Sequence, residues 1–184
     1  MKKMNTKKMV AIAMFTAASY ILAVTIRFPL LPQVGFIKYS PSDIPIVIGG
    51  MILGPYATIL MSLASAVLEE ITIGTTGIIG AIMNFGSTAS FAVVMTAIYK
   101  RKRTDKNAIL AFAVATVTMV ATMVILNILL TPIYTGAPRE AVMGMLLPAI
   151  IPVNLIKAVI NSVASFTMYK GISKLVKVKK YDTD

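Results

Sequence analysis

The sequence predicts an all-α integral membrane protein, a six-helix bundle with both termini in the cytoplasm, and three observations carry that prediction. Of the 184 residues, 57% are hydrophobic, above the roughly 45–50% of a soluble domain, and the mean hydropathy is +0.82. Apolar runs approaching the roughly 20 residues of a membrane helix recur between Gly and Pro clusters that break helices. The net charge of +11 is gathered in short blocks that flank those runs, a pattern of membrane topology rather than of a nucleic-acid surface.

The first span, near 9–26, follows Lys2, Lys3, Lys7 and Lys8 and runs into Arg27-Phe28-Pro29. It exceeds the roughly 7–15-residue apolar core of a signal peptide and is read as a membrane helix. Ala13 and Ala17 place two small residues on one face, which suits close approach by another helix, either a partner's or one of this chain's own. Phe28, Phe36 and Tyr39 in the following loop suit an interfacial aromatic belt or a binding site.

The second and third spans, near 43–53 and 55–70, come from one apolar stretch interrupted by Gly49-Gly50 and Gly54-Pro55. A break at Gly54-Pro55 is favoured because proline fits the first turn of a helix. Charge counting supports it. With spans also near 77–99, 107–131 and 147–170, fourteen of the 18 positive residues fall on the cytoplasmic side, in blocks at 2–8, 100–106 and 170–180. Only Arg27, Lys38 and Arg139 stay outside. Fusing the two spans would put 100–106 opposite the N-terminus. Asp43, Glu69, Glu70 and Glu140 lie at outer ends of spans. The longest connections, near 27–42 and 132–146, are too short to fold alone, so residues 1–184 form one membrane domain. No internal repeat supports an inverted-repeat transporter.

Lys157 is the most unusual residue, because an ammonium in the middle of a membrane helix costs about 2.5–3.5 kcal/mol and calls for a function or a partner. Asn154 shares its helical face at i−3. Counted from the outer end at a rise of about 1.5 Å per residue, Asn154 lies roughly 10 Å and Lys157 roughly 15 Å deep, and Asn127 is close to the outer end of the fifth span. Such groups suit a pocket opening outward. They also suit plainer roles: asparagines joining helices, Asp43 capping the second helix, and Lys157 pairing with Glu69 or Glu70. As a ligand contact, Lys157 could become methionine with loss of affinity alone; as half of an ion pair, stability would fall first.

The chain has no His and no Cys, which excludes His-based and Cys-based nucleophile systems, disulfides and the common zinc sites. No catalytic constellation remains, although composition leaves a Ser-Lys dyad open. There is no Gly-x-x-x-x-Gly-Lys-Ser/Thr loop for a nucleotide.

Several segments together resemble one family. They are Arg27-Phe28-Pro29-Leu30-Leu31-Pro32, Phe36-Ile37-Lys38-Tyr39-Ser40-Pro41-Ser42-Asp43-Ile44-Pro45, Gly54-Pro55, the stretch 77–85 with Asn84-Phe85, and Ile151-Pro152-Val153-Asn154-Leu155-Ile156-Lys157. The chain is similar over nearly its whole length to the substrate-binding S components of energy-coupling factor (ECF) vitamin importers, most closely the riboflavin type. The resemblance implies a multi-pass protein of the bacterial plasma membrane whose six helices enclose a vitamin beneath the outer loops. Lys38, Tyr39, Asp43, Asn84, Asn127, Asn154 and Lys157 are then the candidate substrate contacts. Riboflavin or a related flavin would be cargo, with no cofactor or metal and no nucleic-acid partner. Ala13 and Ala17 would face a transmembrane coupling subunit, and two ATPases attached to that subunit would supply energy. The chain departs from the riboflavin type at the end of the third span, where Glu69-Glu70 stand in place of a Lys-Asn pair. Other vitamins, and a structural or enzymatic helix bundle, are the rival expectations.

Overall fold

A computed structural model describes residues 5–30 and 38–175. Seven α-helices account for most of these described residues: α1 (Thr6–Thr25), α2 (Asp43–Leu53), α3 (Pro55–Ile73), α4 (Ile78–Arg101), α5 (Asp105–Thr135), α6 (Arg139–Gly144) and α7 (Ile151–Leu175). Between α1 and α2 the strands β1 (Phe28–Pro29) and β2 (Lys38–Tyr39) pair antiparallel, Phe28 opposite Tyr39. The expected features at Phe36 and at residues 1–4, 31–37 and 176–184 lie outside the described residues.

Among the described residues five helices are long and apolar enough to cross a membrane: α1, α3, α4, α5 and the α7 unit from Leu146. The second expected span is different. At eleven residues α2 is about 16 Å long, half a bilayer, and every one of its residues is buried. It packs against α1, α3, α4 and α7. Gly49 and Gly50 do not interrupt it, in keeping with the expected span 43–53; they are where its neighbours press close. A side chain at Gly49 would meet the Phe15 ring of α1, and one at Gly50 would collide with Thr58 of α3 and Thr96 of α4. The real break is Gly54, at φ 93°, a conformation that favours glycine. Pro55 then opens α3.

The depth of α2 follows from its two ends. A side chain on Gly54 would lie 3.0 Å from Lys100 Nζ, in the last turn of α4, whereas Asp43 at the other end meets Lys157 in mid-α7. Residues 38–42 therefore descend into the bundle before α2 begins. Sequence reading put Asp43 at the outer end of a span, and that placement is wrong. A period of apolar residues marks a helix but carries no information on an extended segment that dips beside it.

Two other boundaries moved. Pro132 was read as the end of the fifth span, yet α5 continues to Thr135 and stops at Gly136, whose φ of 71° and N–H bond to Pro132 O close it as a left-handed cap. Before α7, residues Leu146–Ile150 form a π-turn in which Ile151 N–H reaches Leu146 O. Pro148 and Pro152 remove two donors from the ladder here, and the widened turn accommodates them. The short α6 carried no periodic signal. Phe112 packs against Phe91 and Phe166 with ring centroids 6.1 and 6.4 Å apart, joining α4, α5 and α7. The Lys170–Asp105 pair at 2.6 Å ties the ends of α7 and α5. Large apolar side chains on the outside, Ile71, Ile78 and Leu147 among them, face lipid in a membrane bundle.

Candidate functional site

Asn154, Lys157 and Asn161 recur at i, i+3 and i+7 along α7, one inward stripe. Lys157 Nζ lies 3.0 Å from Asp43 Oδ2 and 3.4 Å from Ser87 Oγ. The same carboxylate accepts Thr88 Oγ1 at 2.6 Å and Asn161 Nδ2 at 2.9 Å. Asp43 is only 1% exposed, so two neutral donors and one cation replace the water it has lost. It is the first residue of α2 and Ser42 is the cap position, without a side-chain cap bond. The carboxylate thus gains from the positive end of the helix while bonding sideways. Tyr39 O–H donates to Asn161 Oδ1 at 3.0 Å. The partner of Lys157 is therefore Asp43, not Glu69 or Glu70, because α2 starts at the depth of the lysine.

A second polar group is built by α3 and α4. Glu69 Oε1 accepts Ser65 Oγ at 3.0 Å and Oε2 accepts Asn84 Nδ2 at 3.1 Å. Ser65 in turn bonds Ser19 of α1 at 2.8 Å. Glu70 Oε1 accepts Thr76 N–H at 3.1 Å, and Gly74 and Gly80 leave the room its carboxylate occupies. Arg27 Nη1 donates to Ile73 O at 3.0 Å.

Between these groups lies a cavity of about 170 Å³. Asn84, Asn127, Asn154 and Lys157 line it, four of the seven expected substrate residues. The Asn127 and Asn154 amides each donate back to a carbonyl four residues earlier, Met123 O at 2.7 Å and Ile150 O at 2.8 Å. Each amide keeps a second N–H. Asp43 and Tyr39 do not line the cavity; they stand behind Lys157 and Asn161 as supports. Lys38 has its backbone in β2, and its side chain lies outside the description. Sequence reasoning missed Arg27, Ser40, Thr76, Ser87 and Tyr134, which also line the cavity. It noted Glu69 and Glu70 without assigning them a site. Serines and threonines in membrane helices commonly bond their own backbone, so nothing in the sequence distinguishes Ser87. Glu69-Glu70 was the available signal, two carboxylates at the end of an apolar run. Ala13 and Ala17 are both exposed on α1, away from its buried Thr16 and Ser19.

The model of the family described as "ECF transporter, substrate-specific component" matches residues 7–169. The chain is similar to "Riboflavin transporter RibU" of Staphylococcus aureus (strain TCH60), 28% identical over 96% of this chain and 97% of that one. It is 30% identical to "Riboflavin transporter FmnP" of Bacillus subtilis (strain 168), over 92% of this chain and 86% of that one. Among solved structures it is similar to the protein of "Structure and mechanism of the S component of a bacterial ECF transporter". The TM-score is 0.78 and the identity 29%, covering 92% of this chain and 96% of that chain.

Proposed function

Because the chain belongs to the substrate-specific components of ECF transporters, we propose that residues 1–184 form one substrate-binding unit that captures riboflavin or a related flavin in the Lys157 cavity. The observation that carries this reading is the cavity's lining. Asn84, Asn127, Asn154 and Lys157 offer donors beside Met83 and Met123, which suits a flat apolar ring system edged with carbonyl oxygens and ring nitrogens. The two relatives described above are named as riboflavin transporters. Flavin is cargo in this reading, and energy comes from two ATPases acting through a transmembrane coupling subunit.

Ligand stabilisation tests the assignment. A ligand at a hundredfold excess over Kd adds about 2.7 kcal/mol to stability, so riboflavin should raise the melting temperature of the purified protein while folate, biotin and thiamine leave it unchanged. Protein from flavin-supplied cells should be yellow. A colourless preparation stabilised by one of the other vitamins would overturn the flavin assignment and leave the family intact.

The basic blocks support a topology with both termini and residues 100–106 in the cytoplasm, and in that reading α2 and the descending residues 38–42 together complete one of six passes. A single cysteine at Lys102, introduced into this Cys-free chain, should react with an impermeant reagent only after the membrane is opened. Labelling from outside intact cells would refute the orientation.

Ala13 and Ala17 present an exposed small-residue face on α1 that suits docking of the coupling subunit. Ala13→Leu and Ala17→Leu should abolish riboflavin uptake while the purified variants bind riboflavin and melt as the parent does. Normal uptake by both would assign this face to lipid.

A further inference from the structure

We propose that α1 is tied to the cavity by a directed chain of hydrogen bonds, Ser19 to Ser65 to Glu69, through which an occupant loosens the seat of α1 on α3. This rests on the flavin reading above, which supplies the occupant used to test it.

The two helices run parallel at a constant offset. Ser19 meets Ser65 and Arg27 meets Ile73, each 46 residues apart, and a side chain at Gly49 would touch Phe15 and Met61 at the same separation. α1 brings little apolar bulk to this contact, because its buried residues are Thr16, Ser19 and Ala23. Hydroxyls therefore carry much of its attachment. The same offset sets Thr16 opposite Ser62; both are buried, and neither hydroxyl has a partner among the described residues. One turn further along, Ser19 and Ser65 are bonded at 2.8 Å, at 0 and 2% exposure.

The direction of that bond is fixed by what lies beyond it. Ser65 Oγ gives its only proton to Glu69 Oε1 at 3.0 Å, so Ser19 is the donor to Ser65. Such a chain is cooperative, each donor polarised by the carboxylate at its end. Glu69 accepts Asn84 at its other oxygen, and both residues line the cavity, whereas Ser19 and Ser65 do not. An occupant that donates to Glu69 shares a carboxylate already in use, which weakens its hold on Ser65 and, through Ser65, on Ser19. Ala13 and Ala17 are exposed on α1 away from this contact, so their face is less firmly held when the cavity is filled. Linkage makes the effect reciprocal: removing the chain from the α1 side strengthens the occupant.

Riboflavin titrations, read by quenching of flavin fluorescence in the purified protein, test this in the parent, Ser65→Ala, Ser19→Ala and Ser62→Ala. Without Ser65, the empty protein holds a buried carboxylate one donor short, and an occupant that donates to it gains more. Ser65→Ala should therefore bind riboflavin about three- to tenfold more tightly than the parent. Ser19→Ala, on α1 and outside the cavity lining, should gain about twofold by loss of cooperativity alone. Ser62→Ala, equally buried but unbonded, should leave Kd unchanged. Unchanged or weaker binding in either Ser65→Ala or Ser19→Ala overturns the inference, since lost packing weakens binding or leaves it alone. So does an equal gain in Ser62→Ala, which would assign the effect to a looser helix contact and not to the chain. If Ser65→Ala does not fold, Ser19→Ala and Ser62→Ala decide. A parent that binds no riboflavin refutes the flavin reading and this one together, whereas a parent that binds it with no gain in Ser19→Ala refutes this one alone.

Discussion

Lys157→Met should unfold the protein before it merely weakens binding. Removing the ammonium strands the Asp43 carboxylate, 1% exposed, with only Thr88 and Asn161 as donors. Breaking one side of a buried pair typically costs about 3–5 kcal/mol, because an uncompensated charge remains. Melting of the ligand-free variant in detergent should show that loss directly. The companion variant Lys157→Met/Asp43→Leu should recover most of it, since replacing both partners by apolar groups is often close to neutral. A single variant that melts with the parent would show that the ion pair contributes nothing to the fold. Sequence reading left two outcomes for this substitution open, lost affinity or lost stability. The geometry selects stability, because the partner is a carboxylate closed off from the cavity.

The second large effect is expected at Gly50. Here α2 lies so close to α3 and α4 that even a Cβ would collide with Thr58 and Thr96, and those threonines are themselves tied together at 3.4 Å. Overpacking of this kind generally costs about 1–3 kcal/mol. Because the obstacles are stiff β-branched side chains, Gly50→Leu should fall at the upper end. Size-exclusion chromatography and thermal melting would read the loss, with Ala13→Leu on the exposed face of α1 as the control that changes neither. A Gly50→Leu protein as monomeric and heat-resistant as the parent would mean that the three helices are not packed this closely.

Much of this fold could be read from hydrophobic run length and basic blocks, because a bilayer imposes a nearly fixed length on each helix that crosses it. The break at Gly54-Pro55 was visible because glycine and proline each do something there that other residues do badly. The depth of Asp43 was not visible. Nothing in Lys38-Tyr39-Ser40-Pro41-Ser42 says that an extended segment enters the bundle, and without that the pair between Asp43 and Lys157 has no sequence signal. The inward stripe of α7 was legible because Asn154 and Lys157 are polar where lipid forbids it. Ser87 and Thr88 were not, because hydroxyls of this kind are satisfied equally well by their own helix. The pair Gly49-Gly50 was legible as an anomaly inside the span 43–53, but not as the point where neighbouring helices approach. In an apolar helix, glycine signals close approach as readily as interruption.

The burial of α2 along its whole length sets two different rules of substitution within one protein. On the outer face of α5, where Ile109, Val117 and Ile125 are exposed, any apolar side chain of roughly similar size meets the same fluid hydrocarbon, and exchanges among Val, Leu, Ile and Met should be nearly silent in a saturation library. Val47 and Ile46, at 0 and 1% exposure, touch only protein, and there the same exchanges alter shape against fixed neighbours. The eleven residues of α2 should thus tolerate substitution like the interior of a water-soluble enzyme, although they lie in the most apolar part of a membrane chain.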